Sequence, residues 1–313
     1  MQRRDFLLGA AAVTGVMGAS RAWAGPQGPD ARKLGRISMM TLNFTTLLKT
    51  PHQPPGPDRT LDLFDLPQMY ADTYGVHNIE LMHYHMASSA PSYFRALRER
   101  IDGAKSKTTQ LVVEFGGLNI SAPDHNFLPR LQALDLTKVW IDRAVVLGCP
   151  RIMVNQGQPT PENRAYAVET LKAMAEYGAS KGVKVTMETR GNGGAARGAT
   201  PPAGVAVVPA VVAAPTPTEP AWVLLNDIAR SADAYINIDI GGIGAASQDE
   251  LHAGLRGLLP TSSGSIHVKN STAWDLATAL RFIEAQGYTG IYSIEAPGHE
   301  RTRAIYDVIL ASI

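Results

Sequence analysis

The sequence predicts a single (β/α)₈ barrel, and three observations predict it. After residue 35, a short β-rich run followed by a segment of helical periodicity recurs eight times. Several of the helical segments end in glycine directly before the next strand. The long connections all follow strands rather than helices, which in such a barrel places them on the face that carries active sites.

The strand candidates, in order, are 36–42 (RISMMTL), 76–82 (VHNIELM), 109–115 (TQLVVEF), 150–155 (PRIMVN), 183–189 (VKVTMET), 234–240 (AYINIDI), 264–269 (GSIHVK) and 290–295 (GIYSIE). Each is rich in β-branched and apolar residues, as a strand buried on both faces requires. Between them, apolar stripes predict helices over 61–74, 93–105, 128–147, 163–181, 222–231, 250–259, 274–286 and 301–312. Gly75-Val76, Gly148-Cys149-Pro150, Lys181-Gly182-Val183 and Gln286-Gly287-Tyr288 mark tight helix-to-strand turns. The loops at the opposite face include 43–60, 116–127 and 191–218. The last of these is a low-complexity insertion of Ala, Val, Pro and Gly with one charge, Arg197. Such a stretch cannot build a core of its own, and long surface insertions cost little closure entropy.

Residues 1–24 stand apart from this pattern. Arg3-Arg4 followed by an uncharged run from Leu8 to Ser20 and the small-x-small motif Ala22-Trp23-Ala24 reads as a twin-arginine export signal, cleaved near Gly25. The run is shorter than the roughly 18–20 residues a membrane span needs. The expected organisation is therefore a signal (1–24), a linker (25–35) and the barrel (36–313), delivered to the periplasm.

Charge and cysteine usage narrow the function. The full chain has 29 basic and 28 acidic residues; the signal removes three arginines and one aspartate, leaving a mature net charge of −1. No basic excess exists to hold nucleic acid or an anionic membrane surface. Cys149 is the only cysteine, so no internal disulfide forms and stability rests on the core. A small polar molecule is the expected partner, and the composition is compatible with a homo-oligomer.

The chemistry concentrates at the ends of the last four strands. Glu188 (M-E-T-R), Asp239 (N-I-D-I-G-G), His267 (I-H-V-K-N) and Glu295 (S-I-E-A-P-G) each interrupt an otherwise apolar run. A buried carboxylate there costs several kcal/mol unless it meets a cation. Consecutive barrel strands bring these ends together, so three carboxylates and one imidazole form a mostly oxygen ligand set for one divalent ion: Mn²⁺, Mg²⁺, Co²⁺ or Zn²⁺. Arg190 and Lys269, two residues beyond Glu188 and His267, are placed to offset the remaining negative charge. Further candidates for substrate contact are Glu114, His83 and His85 (the latter pair pointing one way if the second strand continues that far), Asn155 beside Gln156, and the loop histidines His125 and His299. His77 and His252, at a strand start and in a helix, read as structural. A multi-zinc nuclease would need more histidines in register and a basic groove.

With these residues in place, the sequence from about 36 to 312 resembles the xylose isomerase-like barrels of sugar phosphate isomerases and epimerases. The opening G-V-x-x-I-E-L of strand 2 (Gly75 to Leu81) and the four strand-end residues carry the resemblance. It implies that Glu188, Asp239, His267 and Glu295 bind one metal, and that Glu188 and Glu295 also act as acid and base on opposite faces of a carbohydrate. The chain departs from the family in three places. Gly242 stands where strand 6 usually carries the His of D-x-x-H; Asn270 replaces the Asp of H-x-K-D; Thr189-Arg190 replaces Asn-His after the strand-5 Glu.

The implied reaction is metal-dependent isomerisation or epimerisation, with a proton removed beside a carbonyl through an enediolate. Two alternatives stay open: a lyase or hydratase that eliminates from 3-keto-glycosides, and a catalytically silent sugar-binding barrel. Export and the lack of a glycine-rich phosphate cradle favour an unphosphorylated substrate.

Overall fold

The computed structural model describes residues 30–51, 53–114, 120–154, 157, 159–190 and 219–313. The expected signal (1–24), residues 25–29 of the expected linker, the insertion 191–218 and Asn155 lie outside the described residues.

Eight parallel strands, β1 (Ile37–Met40), β2 (Asn78–Met82), β3 (Lys107–Val113), β4 (Arg151–Val154), β5 (Lys184–Glu188), β6 (Tyr235–Asp239), β7 (Ser262–Val268) and β8 (Ile291–Ile294), form a closed barrel in chain order. β8 returns to β1 through Ile37↔Tyr292, Ser38↔Ser293 and Met39↔Ile294. The helices are α1 (Ala31–Leu34), α2 (Leu66–Tyr74), α3 (Pro91–Gly103), α4 (Leu128–Leu147), α5 (Arg164–Ser180), α6 (Ala221–Ser231), α7 (Gln248–Leu258), α8 (Leu276–Ala285) and α9 (His299–Ser312).

Local chemistry explains where these elements start and stop. Pro lies in the first turn of α2, α3 and α4, where its missing N–H leaves no bond unmade. Ser247 caps α7 by accepting from Glu250 N, while Glu250 Oε2 accepts from Ala246 N at 2.8 Å. Asp275 caps α8 through Thr278 N at 2.7 Å. Gly75 and Gly148 close α2 and α4 at φ 65° and 66°, the left-handed turn that lets a helix drop straight into its strand.

Some boundaries differ from the sequence reading. The helix expected over 61–74 opens with a 3₁₀ turn at Leu63–Asp65, because Asp62 accepts from Phe64 N and tightens the entry. The second strand ends at Met82, where the reading of 76–82 ends it, and His83–His85 turn as a 3₁₀ helix. Alternation of side chains therefore ends before the two histidines. Residues 31–34, expected as linker, form α1, tethered by Lys33 Nζ to Leu310 O at 2.7 Å.

The main core lies between the strands and the surrounding helices. A second apolar cluster, Met40, Met82, Val112 and Met153, fills the barrel interior near the C-terminal ends of β1–β4, with Leu42 and Tyr84 packed on it. The β5–β8 half of the same end is polar. The β5–β8 strand ends thus face a thioether-rich wall. Among the described residues no helix is long and apolar enough to cross a membrane.

Candidate active site

Glu188 and Asp239 are the last residues of β5 and β6; His267 is one short of the end of β7, and Glu295 follows β8. Asp239 lies opposite His267 in the β6–β7 register, so the strand ends deliver the four side chains to one side of the mouth. Their exposures are 8%, 6%, 0% and 9%.

His267 is the hub. Its Nδ1 lies 2.9 Å from Glu188 Oε1 and 3.3 Å from Glu295 Oε2, and its Nε2 lies 2.6 Å from Glu80 Oε1. Lys269 Nζ bridges Asp239 Oδ2 at 2.6 Å and Glu295 Oε2 at 3.0 Å. Arg190 donates from Nε to Glu188 Oε2 at 3.0 Å and, through its terminal nitrogen, to Glu114. One continuous chain of ion pairs therefore runs Glu114, Arg190, Glu188, His267, Glu295, Lys269, Asp239. Arg190 and Lys269 stand where charge offset was expected.

Asp239 is fixed from its backbone as well. Thr189 Oγ1 donates to Asp239 O and accepts from Asp239 N, both at 2.8 Å, stitching the tip of β5 to that of β6. Asp239 Oδ1 accepts from Gly241 N at 2.9 Å. Gly242 then passes so close to β5 that a Cβ there would sit 1.9 Å from Thr189 O. The position at which the resembling barrels carry a histidine is closed by backbone.

The electrostatics reflect this crowding. Burial works against charge on Glu188, but the hydrogen bond and charge of His267, with Arg190 and Lys269, bring its carboxyl down to about 2. Burial raises Asp239 to about 6, Lys269 pulling it down and Glu295 and Glu188 pushing it up. Glu114 is raised by burial, against Arg190. Burial opposes a charged His267, yet Glu80, Glu188 and Glu295 together hold its proton well above the ordinary imidazole range. Lys269 is likewise raised, by Asp239, Glu295 and Glu188, against its own burial.

This donor set suits a divalent ion. One ligand atom each from Glu188, His267 and Glu295 lies within 4.8 Å of the others, all three residues buried, with Asp239 joined to them through Lys269. Glu80, Glu114, Glu188, Asp239 and Glu295 face only Arg190 and Lys269 as permanent cations in the contacts described above. Among the described residues and in these contacts, carboxylates outnumber the permanent cations. A hard divalent cation with open positions would fit among these oxygen donors and the imidazole.

The remaining candidates distribute unevenly. His83 stays with the mouth: its Nδ1 accepts from Glu114 N at 3.1 Å, and its ring meets Trp140 edge-on at 5.4 Å. His85 turns away, its ring nitrogens 2.9 Å from Thr41 Oγ1 and 3.1 Å from Thr45 Oγ1, and burial lowers it to about 3. The end of β2 at Met82 separates the pair. His125 is exposed on a 3₁₀ turn, His299 is exposed and 2.9 Å from the Tyr74 hydroxyl, and Asn270 is exposed. His77 contacts Ala104 O at 3.1 Å and His252 stacks on Phe282 at 4.0 Å, as structural residues would.

No site role was read from the sequence for Glu80, the acidic residue of the strand-2 motif, or for Gln110. The signal was present for Glu80: a charge inside an apolar strand, the criterion that singled out Glu188 and Glu295. For Gln110 there was none, since a neutral amide in a strand is unremarked until its partners are known.

No sequence-family model matches the chain, and no curated protein matches it. Solved structures do match. A 3-keto-D-glucoside 4-epimerase from E. coli superposes with a TM-score of 0.60 at 12% identity, over 89% of this chain and 100% of the other. A xylose isomerase-like TIM barrel protein from Mycobacterium smegmatis, in complex with magnesium, gives 0.58 at 13%, over 90% and 98%. A probable 3-DHS dehydratase from Bacillus anthracis gives 0.57 at 15%, over 88% and 97%. The protein therefore has the fold of the xylose isomerase-like barrels. Its own mouth is lined by carboxylates and an imidazole on β5–β8.

Proposed function

We propose that this protein is a metal-dependent isomerase or epimerase of a sugar-like hydroxy-carbonyl compound. The observation that carries the reading is the placement of two buried carboxylates, Glu188 and Glu295, on the same imidazole nitrogen, with Arg190 bound to one and Lys269 to the other. The similarity in fold to sugar epimerases supports it.

Glu188, Asp239, His267 and Glu295 would hold one divalent ion. When bound, that ion acts as a Lewis acid toward a carbonyl oxygen and its neighbouring hydroxyl, easing loss of the proton between or beside them. The protein's own residues do the rest. Glu188 or Glu295 removes the proton, and the other or the same carboxylate returns it to the enediolate. Arg190 and Lys269 hold these carboxylates in place and keep them ionised. Met40, Met82, Val112 and Met153 form an apolar wall on β1–β4 beside these carboxylates.

The similarity to a probable dehydratase supports a second reading, since the same proton abstraction with a leaving group one carbon further on is a β-elimination. Incubating the metal-loaded enzyme with free ketoses and with 3-keto-glycosides in D₂O separates the two. Deuterium at a substrate carbon without cleavage supports isomerisation or epimerisation; release of an aglycone or of water supports elimination. Binding with neither would refute both and leave a silent sugar-binding barrel.

A further inference from the structure

Glu80 has no part in the reaction as described, yet it is the most deeply enclosed carboxylate near the site, with 0% exposure. It lies on β2, across the barrel from β7, at a register irregularity between Ile79 and Glu80. A second irregularity, between Ile236 and Ile238 on β6, flanks Asn237. Bulges of this kind re-aim a side chain next to an active site.

What they aim is a buried polar network. Glu80 Oε1 sits 2.6 Å from His267 Nε2 and accepts from Gln110 Nε2 at 3.0 Å; the same Gln110 nitrogen donates to Asn237 Oδ1 at 3.1 Å. Glu80 Oε2 has no hydrogen-bond partner among the described residues. Enclosing a carboxylate this way is expensive unless a strong donor rewards it, and the imidazole is that donor. On the opposite edge of the ring, Nδ1 faces Glu188 and Glu295. A neutral imidazole offers a proton at one nitrogen and a lone pair at the other, and the bond at the first decides which is which.

We propose that Glu80 is a positioning residue: it holds the proton of His267 on Nε2 and so presents the Nδ1 lone pair to the divalent ion taken up with Glu188, Asp239 and Glu295. This rests on the metal-binding reading of the site. Gln110 and Asn237 keep the Glu80 carboxylate turned toward the ring. Without an ionised acceptor at Nε2, the proton redistributes to Nδ1, where it blocks the ligand position. Outer partners of this kind typically govern about 10- to 100-fold in metal affinity.

The test compares the full-length wild type with Glu80→Gln, which keeps the volume and removes the charge. Mn²⁺ affinity is measured by calorimetry on metal-free protein, and ¹⁵N-histidine spectra are recorded with Zn²⁺, the His267 signals being assigned by their loss in His267→Gln. The expected result is a 10- to 100-fold weaker Mn²⁺ affinity in Glu80→Gln. The Zn²⁺-loaded wild type should show the proton on Nε2 and metal on Nδ1, a pattern lost or mixed in the variant. Equal Mn²⁺ affinity and unchanged His267 signals in the variant would overturn this proposal while leaving the metal site intact. Wild type that binds neither ion would instead overturn the metal-binding reading, and this proposal with it. Should Glu80→Gln fail to fold, the wild-type spectrum still decides: Zn²⁺ on Nε2 with the proton on Nδ1 refutes the assignment.

Discussion

Replacing Gly242 by alanine tests the claim that the tips of β5 and β6 are locked together around Asp239. A Cβ at 242 would lie 1.9 Å from Thr189 O, 2.8 Å from Thr189 C and 3.1 Å from Asp239 Oδ2. Restoring an ordinary contact requires a backbone displacement of about 1.5 Å in a close-packed region. Thr189 cannot move freely, because its hydroxyl makes both bonds to the Asp239 backbone and its N–H donates to Asn237 O at 3.2 Å. Overpacking costs about 1–3 kcal/mol, and each hydrogen bond loosened adds about 1 kcal/mol. The sum, on the order of 2–5 kcal/mol, corresponds to a fall in melting temperature of roughly 5–15 °C. Circular-dichroism melts of the metal-free protein read this directly, and Mn²⁺ titration should show weaker binding because Asp239 is carried along. A Gly242→Ala variant melting within about 1 °C of wild type, with unchanged Mn²⁺ affinity, would refute the reasoning. The same geometry predicts that Gly242→His does not install a working substrate histidine.

Glu188→Gln removes the charge that meets both His267 and Arg190; Mn²⁺ affinity should fall at least about tenfold, and proton exchange into substrate by about 10²–10⁴-fold, measured by calorimetry and by NMR in D₂O. In the metal-free protein, Asp239 is raised from 3.8 to about 6, so its contribution to stability is present below 3.8 and lost as pH rises through 6; His267, also raised, loses its contribution at higher pH. Glu188, lowered from 4.5 to about 2, acts the other way, stabilising above 4.5 and failing as pH drops toward 2. Urea melts across pH should therefore show metal-free stability declining on the alkaline side of this window, and saturating Mn²⁺ should reverse the slope, since ligands lose protons to bind; a rising metal-free profile would contradict it. Burial pushes the Cys149 thiol up to about 12, so a thiol reagent should label it only after unfolding, and stoichiometric labelling of native protein would count against its enclosure. N-terminal sequencing of protein recovered from a periplasmic fraction should find a start near Gly25; recovery of the intact Arg3-Arg4 segment there would contradict cleavable export.

The barrel and the residues on its active face were legible in the sequence because both are expressed locally. Strand, helix and glycine stop repeat along the chain, and a charge ending an apolar run marks a strand end without reference to any other part of the molecule. Glu188, Asp239, His267 and Glu295 were found on that ground, and the helix reading for 128–147 coincides with α4. The cross-barrel relations were not legible, since they depend on which rotamers meet in the interior. His267 and Glu80 are 187 residues apart and touch only when β2 and β7 face each other across the closed barrel. His83 and His85 would share a face only in a continued strand; β2 ends at Met82, and His85 turns toward Thr41 and Thr45. Gly242 read as a missing histidine, whereas the approach of Thr189 leaves no room for any side chain. The sequence by itself determined the barrel and the acidic strand ends, which periodicity and desolvation cost encode one segment at a time. Only the tertiary structure decided which nitrogen of His267 faces which carboxylate, because that choice is made by side chains from opposite walls meeting in one buried space.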